Sequence, residues 1–427
     1  MGQDLPQGPL AVYLHVPFCL TRCNYCSFFS EAYSIAELER YVSVLHNEIS
    51  LCLQHREELK NADTIYFGGG TPSLLSALQI KELLAEFSYS LQTEISLEIN
   101  PLQITPSYLK ALAGTDVNRL SVGLQSMLDE ELDWLSRRHR SAQIAQKISW
   151  LQDFGYANFS LDLIYGLPGA SLDALKYNLE RYLELKPKHI STYLLERERL
   201  DPDRRPPVYA QTGMSAIRKP SAIQDEDCRP LVYTQTGRSA IRKEQKDRRL
   251  LVYAQTGMSA IRDEDELHAR SYELIRETLL DNGYEHYEIS NFALPGYESR
   301  HNLHYWQFDD YLGLGASAAG FLKGTRYTNP ADLELYYQNV EAGLLFPEAE
   351  TGENMANDYL MMGLRLSRGI DPAQYRARFG RDLALHKGDT IRKLTKLGLL
   401  QSGNGFLKLS PEALFISNAV IGELLES

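Results

Sequence analysis

AVYLHVPFCLTRCNYC, residues 11–26, joins two unlike pieces: a β-rich run, AVYLHVP, and a loop that puts three of the chain's five cysteines at Cys19, Cys23 and Cys26. The β-rich run is the first of a series. Others begin at Thr64 (TIYFGGG), Ile95 (ISLEINP), Arg119 (RLSVGLQS), Phe159 (FSLDLIYGLP) and His189 (HISTYLL). Between them stand patterns with apolar residues at i, i+3, i+4 and i+7, such as AELERYVSVLHNEISLCLQ from Ala36, LQIKELLAEFSYSLQ from Leu78 and SAQIAQKISWLQDFG from Ser141, which predict helices. Strand and helix in alternation predict βα units on a parallel sheet, an α/β fold. Six units favour a closed or partial barrel over a flat sheet, although spacing leaves a doubly wound sheet open. In either arrangement ligands bind at the carboxyl ends of the strands. The cysteines follow the first strand and a run of glycines follows the second. Glu98 and Asn100 end the third strand, Gln125 ends the fourth, and Asp162 lies in the fifth.

Bulk properties narrow the function. The 427 residues are 44% hydrophobic, enough for a large core, and the net charge of −12 argues against a general nucleic-acid binder, because neutralising phosphates needs a basic face. The first residues, MGQDLPQGPLAVYLHVPF, lack the basic and apolar regions of a secretory signal, and no run of about 18 apolar residues occurs, so the chain is expected in the cytoplasm. Three crowded cysteines plus the isolated Cys52 and Cys228 do not form a secreted disulfide framework; a reducing compartment and a metal fit better.

Residues 201–262 interrupt the pattern with an internal repeat, VYAQTGMSAIR from Val208, VYTQTGRSAIR from Val232 and VYAQTGMSAIR from Val252. A solenoid needs a constant period and an apolar face on each unit, and these units offer neither. With 12 basic against 7 acidic residues, the segment reads as a disordered insertion, the alternative being a basic docking arm. Asp263 to Gly283 reads as an amphipathic helix with acidic residues at its start and a glycine at its end. The last part, from about Glu353, combines helical patterns (NDYLMMGLRL, KGDTIRKLTKLG) with two short apolar runs, LLQSG and FLKLS, and reads as a small winged-helix-like domain. The expected organisation is a core over 1–200, the insertion over 201–262, a core extension over 263–350 and a C-terminal domain over 351–427.

Spacing C-x3-C-x2-C sets three thiolates on one tight loop. A structural zinc wants four closed ligands, and no fourth is evident, since His15 precedes the loop. A cubane of four irons and four sulfides can take three thiolates and keep one iron open. This motif resembles that of the radical SAM superfamily. The resemblance implies that the open iron chelates S-adenosylmethionine, and that the reduced cluster cleaves the sulfonium to methionine and a 5'-deoxyadenosyl radical. Read singly, GGGTPS at 68–73 is a tight turn, Glu98 a rim residue, and Gln125, Arg137 and Asp162 structural groups. Together, YLHVPFC, FGGGTPS, LEINP, NRLSVGLQS, LSRRH, SLDLIYGLPG, YEISNFALPG, SRHNLHYW and GLGASA, in that order, resemble the coproporphyrinogen-oxidase-like branch of that superfamily over nearly all of the chain except the insertion.

The resemblance implies a partial (βα)6 TIM-like barrel with a small C-terminal domain. It implies that Cys19, Cys23 and Cys26 hold a 4Fe–4S cluster flanked by Tyr13 and Tyr25. Gly69, Gly70 and Thr71 would meet the methionyl end of the cosubstrate, and Glu98, Gln125, Arg137 and Asp162 its ribose and carboxylate side. Oxidases of this branch carry another cysteine two residues beyond the third, and Phe28 stands there in this chain. In that respect the sequence resembles the sister family of haem chaperones, HemW. HNLHYW, residues 301–306, matches the HNxxYW motif linked to haem in that group, which implies His301 as a haem ligand with Tyr305 and Trp306 stacked on the macrocycle. The implied partners are haem, haem-acceptor proteins including those of membranes, and a reductant for the cluster; nucleic acid is not among them, and a homodimer stays open. The alternatives are an oxygen-independent coproporphyrinogen III oxidase, which Phe28 disfavours, and a scaffold whose cluster serves only dimerisation or stability. The sequence departs from the branch at Ala319, where GLGAxAHS would place a histidine, and at LSRRHR, which blurs the choice of Arg137 over Arg138.

Overall fold

The computed structural model describes residues 10–195, 263–346, 348–351 and 355–426. Six strands, β1 (Ala11–Val16), β2 (Thr64–Gly69), β3 (Glu94–Ile99), β4 (Arg119–Gln125), β5 (Phe159–Tyr165) and β6 (His189–Leu194), run parallel in sequence order. Helices α1 (Ile35–His55), α2 (Ala77–Ala85), α3 (Pro106–Leu112), α4 (Asp129–Trp134), α5 (Ile144–Asp153) and α6 (Leu172–Glu184) lie in the connections between them. These are the six expected βα strands. The sheet is open and extends beyond them on both sides.

On the β6 side, β7 (Glu285–Glu288) and β8 (Asn291–Ala293) add antiparallel strands after α7 (Asp263–Asp281), with β8 hydrogen-bonded to β6. On the β1 side, α8 (Arg300–Trp306) leads to β9 (Tyr311–Leu314), a seventh parallel strand paired with β1. Strands β10 (Ala319–Leu322), β11 (Thr325–Thr328) and β12 (Glu348–Thr351) then continue antiparallel, giving twelve strands in one sheet. The segment expected as a core extension therefore flanks the six central strands on both edges. The C-terminal region is helical, with α9 (Leu333–Glu341) packed on α1 and α10 (Met355–Gly363), α11 (Pro372–Phe379), α12 (Leu383–His386), α13 (Gly388–Lys396) and α14 (Ser417–Glu426) around a hairpin, β13 (Leu400–Gly403) and β14 (Phe406–Leu409). The repeats of 201–262 lie outside the described residues.

Register decides which side chains share a face. Successive residues of a strand point to opposite sides, and in parallel neighbours the paired residues point the same way. Leu14 pairs with Phe67, Phe67 with Leu97, Leu97 with Leu120 and Leu120 with Phe159, a row of fully buried apolar side chains. The next level on that face, Ile99, Val122, Leu161 and Ile190, is equally dry. The opposite face carries Tyr13 beside Tyr66, Glu98 beside Ser121, and Asp162 beside Ser191. One face is thus hydrophobic core, and the other is polar.

One predicted helix is shorter than its pattern. The apolar spacing from Leu78 runs on to Gln92, but α2 stops at Ala85. Its continuation is taken by a bridge between Asn61 and Ser88, in which the Ser88 N–H donates to the Lys60 carbonyl at 2.8 Å and the Ala62 N–H to the Ser88 carbonyl at 3.0 Å. Backbone bonded to a neighbouring segment cannot also close the helical ladder.

A buried carboxylate ties the β9 side to α1. Glu48 of α1 is 1% exposed and accepts from the Gly315 N–H at 2.7 Å, the Asn329 amide at 2.6 Å and the Tyr336 hydroxyl at 2.8 Å. Burial raises its pKa to about 7, against the lowering effect of these bonds. Beside it the Tyr41 hydroxyl donates to the His15 carbonyl at 2.6 Å and accepts from the Ala316 N–H at 3.1 Å. Replacing Glu48 with alanine strands three buried groups, so Glu48→Ala is expected to cost roughly 3 kcal/mol, read as a lower urea midpoint, while Glu48→Gln costs less. Equal stability of both variants with the parent would show that the network is not structural.

Candidate functional site

The polar face ends in a cleft of about 350 Å³ at the carboxyl ends of the strands, lined among others by Cys19, Cys23, Cys26, Glu98, Arg137 and Asp162. The cysteine loop leaves β1 and is closed at its base. Phe18 and Cys19 pair with Glu31 and Ala32, the Glu31 N–H donates to the Pro17 carbonyl at 2.6 Å, and the Tyr33 N–H to the Cys19 carbonyl at 3.1 Å. Inside the loop a turn bonds the Cys26 N–H to the Cys23 carbonyl at 3.2 Å, and Asn24 holds the tip through a 2.6 Å bond to Ser136. All three thiols are free and partly exposed; a fourth free thiol, Cys52, is buried on α1. Burial pushes the Cys26 thiol up. Among the described residues no three His, Cys, Asp or Glu are set to hold a single metal ion, the arrangement a zinc centre requires.

Glycines bring β2 over this loop. The Gly70 N–H donates to the Val16 carbonyl at 2.9 Å, and a Cβ there would lie 2.7 Å from the Phe18 carbonyl oxygen. Gly69 has φ +113°, and a Cβ would meet the His15 ring at 2.6 Å, so neither position admits a side chain without displacement. Its N–H donates to Glu98 Oε2 at 3.2 Å. Thr71, the next residue but one, donates its hydroxyl to Cys19 Sγ at 3.5 Å.

Opposite, on the cleft wall, stand two half-buried carboxylates. Glu98 accepts from the Tyr66 hydroxyl at 3.0 Å, and Asp162 from Ser121 at 3.4 Å. Burial, reinforced by the charge of Asp162, raises the Glu98 pKa to about 8; burial raises that of Asp162 to about 6. Arg137 reaches in from the loop after α4, donating through Nη2 to the Gly123 carbonyl at 2.5 Å and through Nη1 to Cys23 Sγ at 3.6 Å. Gln125 ends β4 with φ +71°, a conformation rare outside glycine, and its buried Oε1 has no hydrogen-bond partner. Strain and an unsatisfied acceptor at a cleft wall suit a ligand that brings a donor.

Of the residues expected from sequence, Tyr25, Gly69, Gly70, Thr71, Glu98, Gln125, Arg137, Asp162 and the three cysteines all line this cleft. Two do not. Tyr13 lies beneath it, stacked on Tyr66 with its hydroxyl 3.0 Å from His15 Nδ1. His301 is 1% exposed, with Nδ1 at 2.8 Å from the Thr64 hydroxyl and Nε2 at 2.7 Å from the Tyr305 hydroxyl. Both ring nitrogens are therefore engaged, and burial lowers its pKa to about 3. As packed, this imidazole lies outside the cleft with both nitrogens bonded to hydroxyls of the chain itself. Tyr305 is engaged with it, and Trp306 faces a separate cavity near Arg368 and Arg378. Sequence reading missed Tyr66, Ser121 and Tyr193; alternation along TIYFGGG and its pairing with LEINP would have placed Tyr66 beside Glu98, but that pairing is not visible in one sequence.

A parallel sheet whose strand ends face a three-cysteine loop defines the radical SAM class. The family model of the radical SAM superfamily matches residues 13–181, and that of the HemN C-terminal domain matches 351–416. The chain is 29% identical to the Heme chaperone HemW of Lactococcus lactis over 98% of each chain. It is 30% identical to that of Synechocystis, over 86% of this chain and 80% of the relative. The solved coproporphyrinogen III oxidase of Escherichia coli, a radical SAM enzyme, superposes with a TM-score of 0.71 over 98% of this chain and 91% of the other, at 21% identity, a likeness of fold. The chain belongs to the radical SAM superfamily and, within it, to the HemW family. Membership implies a 4Fe–4S cluster and S-adenosylmethionine. Among the described residues no helix is long and apolar enough to cross a membrane.

The carboxylates make a pH prediction. Both have folded pKa values raised above those of an unfolded chain, so the folded form holds extra protons and stability falls as pH rises through about 6 and then about 8. The protein free of ligands is expected to melt lower at pH 8.5 than at pH 6, and Glu98→Gln to flatten that slope. A variant that keeps the full slope would exclude Glu98 as its source.

Proposed function

We propose that this protein is a radical SAM haem chaperone: it binds a 4Fe–4S cluster through Cys19, Cys23 and Cys26, S-adenosylmethionine in the cleft beside them, and haem, which it delivers to acceptor proteins. The observation that carries the reading is the meeting, in one cleft, of three free thiols and a polar wall holding two raised carboxylates, an unpartnered amide oxygen and a half-buried guanidinium. The donor set fits a cubane, which takes one thiolate per iron and leaves one iron without protein sulfur. When bound, cluster and cosubstrate supply one-electron reductive cleavage of a sulfonium.

The chain's own residues account for the cosubstrate's charges. Its sulfonium and ammonium are cations, and Glu98 and Asp162 are the carboxyl groups of the cleft; a cation between them draws both pKa values down, so binding at neutral pH releases protons, chiefly from Glu98. Ribose hydroxyls and the amino group can donate to these carboxylates and to Gln125 Oε1. The carboxylate of the cosubstrate has Arg137 at hand, and the close glycine edge of Gly69 and Gly70 admits its methionyl end.

Haem as cargo is supported by the relatives and by Phe28. That side chain is 65% exposed and lines the cleft, as Tyr193 and Leu194 do, and a flat macrocycle would shed water against it. His301 is not offered as the iron ligand. The experiment is anaerobic reconstitution followed by two titrations. S-adenosylmethionine is expected to perturb the electron paramagnetic resonance of the reduced cluster, and haem to give a Soret shift, with Cys23→Ala losing the first response and His301→Gln keeping the second. A cluster blind to the cosubstrate, or no Soret shift, would end this reading, and conversion of coproporphyrinogen III to protoporphyrinogen would establish the oxidase instead.

A further inference from the structure

Each of the three thiols has a hydrogen-bond donor of its own. Cys19 accepts from the Thr71 hydroxyl at 3.5 Å and Cys23 from Arg137 Nη1 at 3.6 Å, while Cys26 is bonded to the Phe28 N–H. The Tyr25 hydroxyl also reaches Cys23. These contacts lie apart from the roles the family resemblance gives Thr71 and Arg137, which concern the two ends of the cosubstrate. They are also held in place. The 2.5 Å bond from Arg137 Nη2 to the Gly123 carbonyl fixes the guanidinium with Nη1 toward the sulfur, and Thr71, 9% exposed, has little water to turn its hydroxyl to.

Reduction adds one electron, from an external one-electron donor, to a centre whose negative charge spreads onto its sulfurs. Hydrogen bonds to those sulfurs and positive charge beside them favour the more negative, reduced form and so raise the potential. Arg137 brings a full charge and Thr71 only a dipole, so their effects differ in size, and the corners at Cys23 and Cys19 are electrostatically unequal. We propose that Arg137 and Thr71 are positioning residues that set the reduction potential of the cluster, acting through Cys23 and Cys19. This rests on the three-cysteine ligation proposed above.

The test uses the full chain, reconstituted anaerobically without cosubstrate, with iron and sulfide counted per chain and the midpoint potential read by a dye-mediated dithionite titration followed by electron paramagnetic resonance. Arg137→Gln is expected to move the midpoint to more negative values, Thr71→Val to move it less in the same direction, and Thr71→Ser to restore the parent value, all at the parent's iron content. Should Arg137→Gln fail to hold a cluster, the Thr71 pair decides alone. Parent midpoints in the variants that keep a full cluster would overturn the proposal, as would loss of the cluster from both Arg137→Gln and Thr71→Val, since the two residues would then be needed to retain it. Failure of the underlying ligation looks different: the parent chain itself would take up no cluster.

Discussion

The structure depends on one constraint, the two-residue period of its parallel strands. Once Leu14, Phe67, Leu97, Leu120 and Phe159 line up on one face, their neighbours in sequence are forced onto the other. A one-residue slip of any strand would carry its apolar row into the cleft and its polar row into the core. The dry face therefore fixes the register that sets Tyr66 beside Glu98 and Asp162 beside Ser191, and the site inherits its geometry from the core.

The polar face is costly, and the costs are distributed. Two half-buried carboxylates on the cleft wall sit with raised pKa values, Gln125 keeps a strained backbone and an acceptor without a partner, and a guanidinium is spent on a carbonyl and a sulfur. Features that destabilise an empty protein become complementary once a cationic ligand with donors of its own fills the space. At Glu48, by contrast, three donors surround one buried carboxylate and the result is rigidity.

Much of this was legible in the sequence, and what was not has physical reasons. Strand and helix starts follow from local pattern, so β1 to β6 and α1 stand where the periodicity put them, and the motif residues at the strand ends converge because βα topology brings every strand's carboxyl end to one side. Pairing between distant segments has no local signature. Nothing in YLGL at 311–314 announces a seventh parallel strand beside β1, and nothing near Gln92 shows that Ser88 would leave α2 to bridge with Asn61. His301 illustrates the same gap: its motif draws attention to the ring, but only the packing shows both nitrogens taken by Thr64 and Tyr305.

The way the sheet is assembled from both ends of the chain bears on its integrity. Strands before Leu195 form the centre of the sheet and strands after Asp263 flank it, β8 against β6 on one side and β9 against β1 on the other. A protease cut between those two residues would yield fragments that remain clasped by two ladders of backbone bonds and one shared hydrophobic interior. Neither piece alone could cover the edges it would then expose, so the halves should behave as an obligate complementing pair rather than as separable domains.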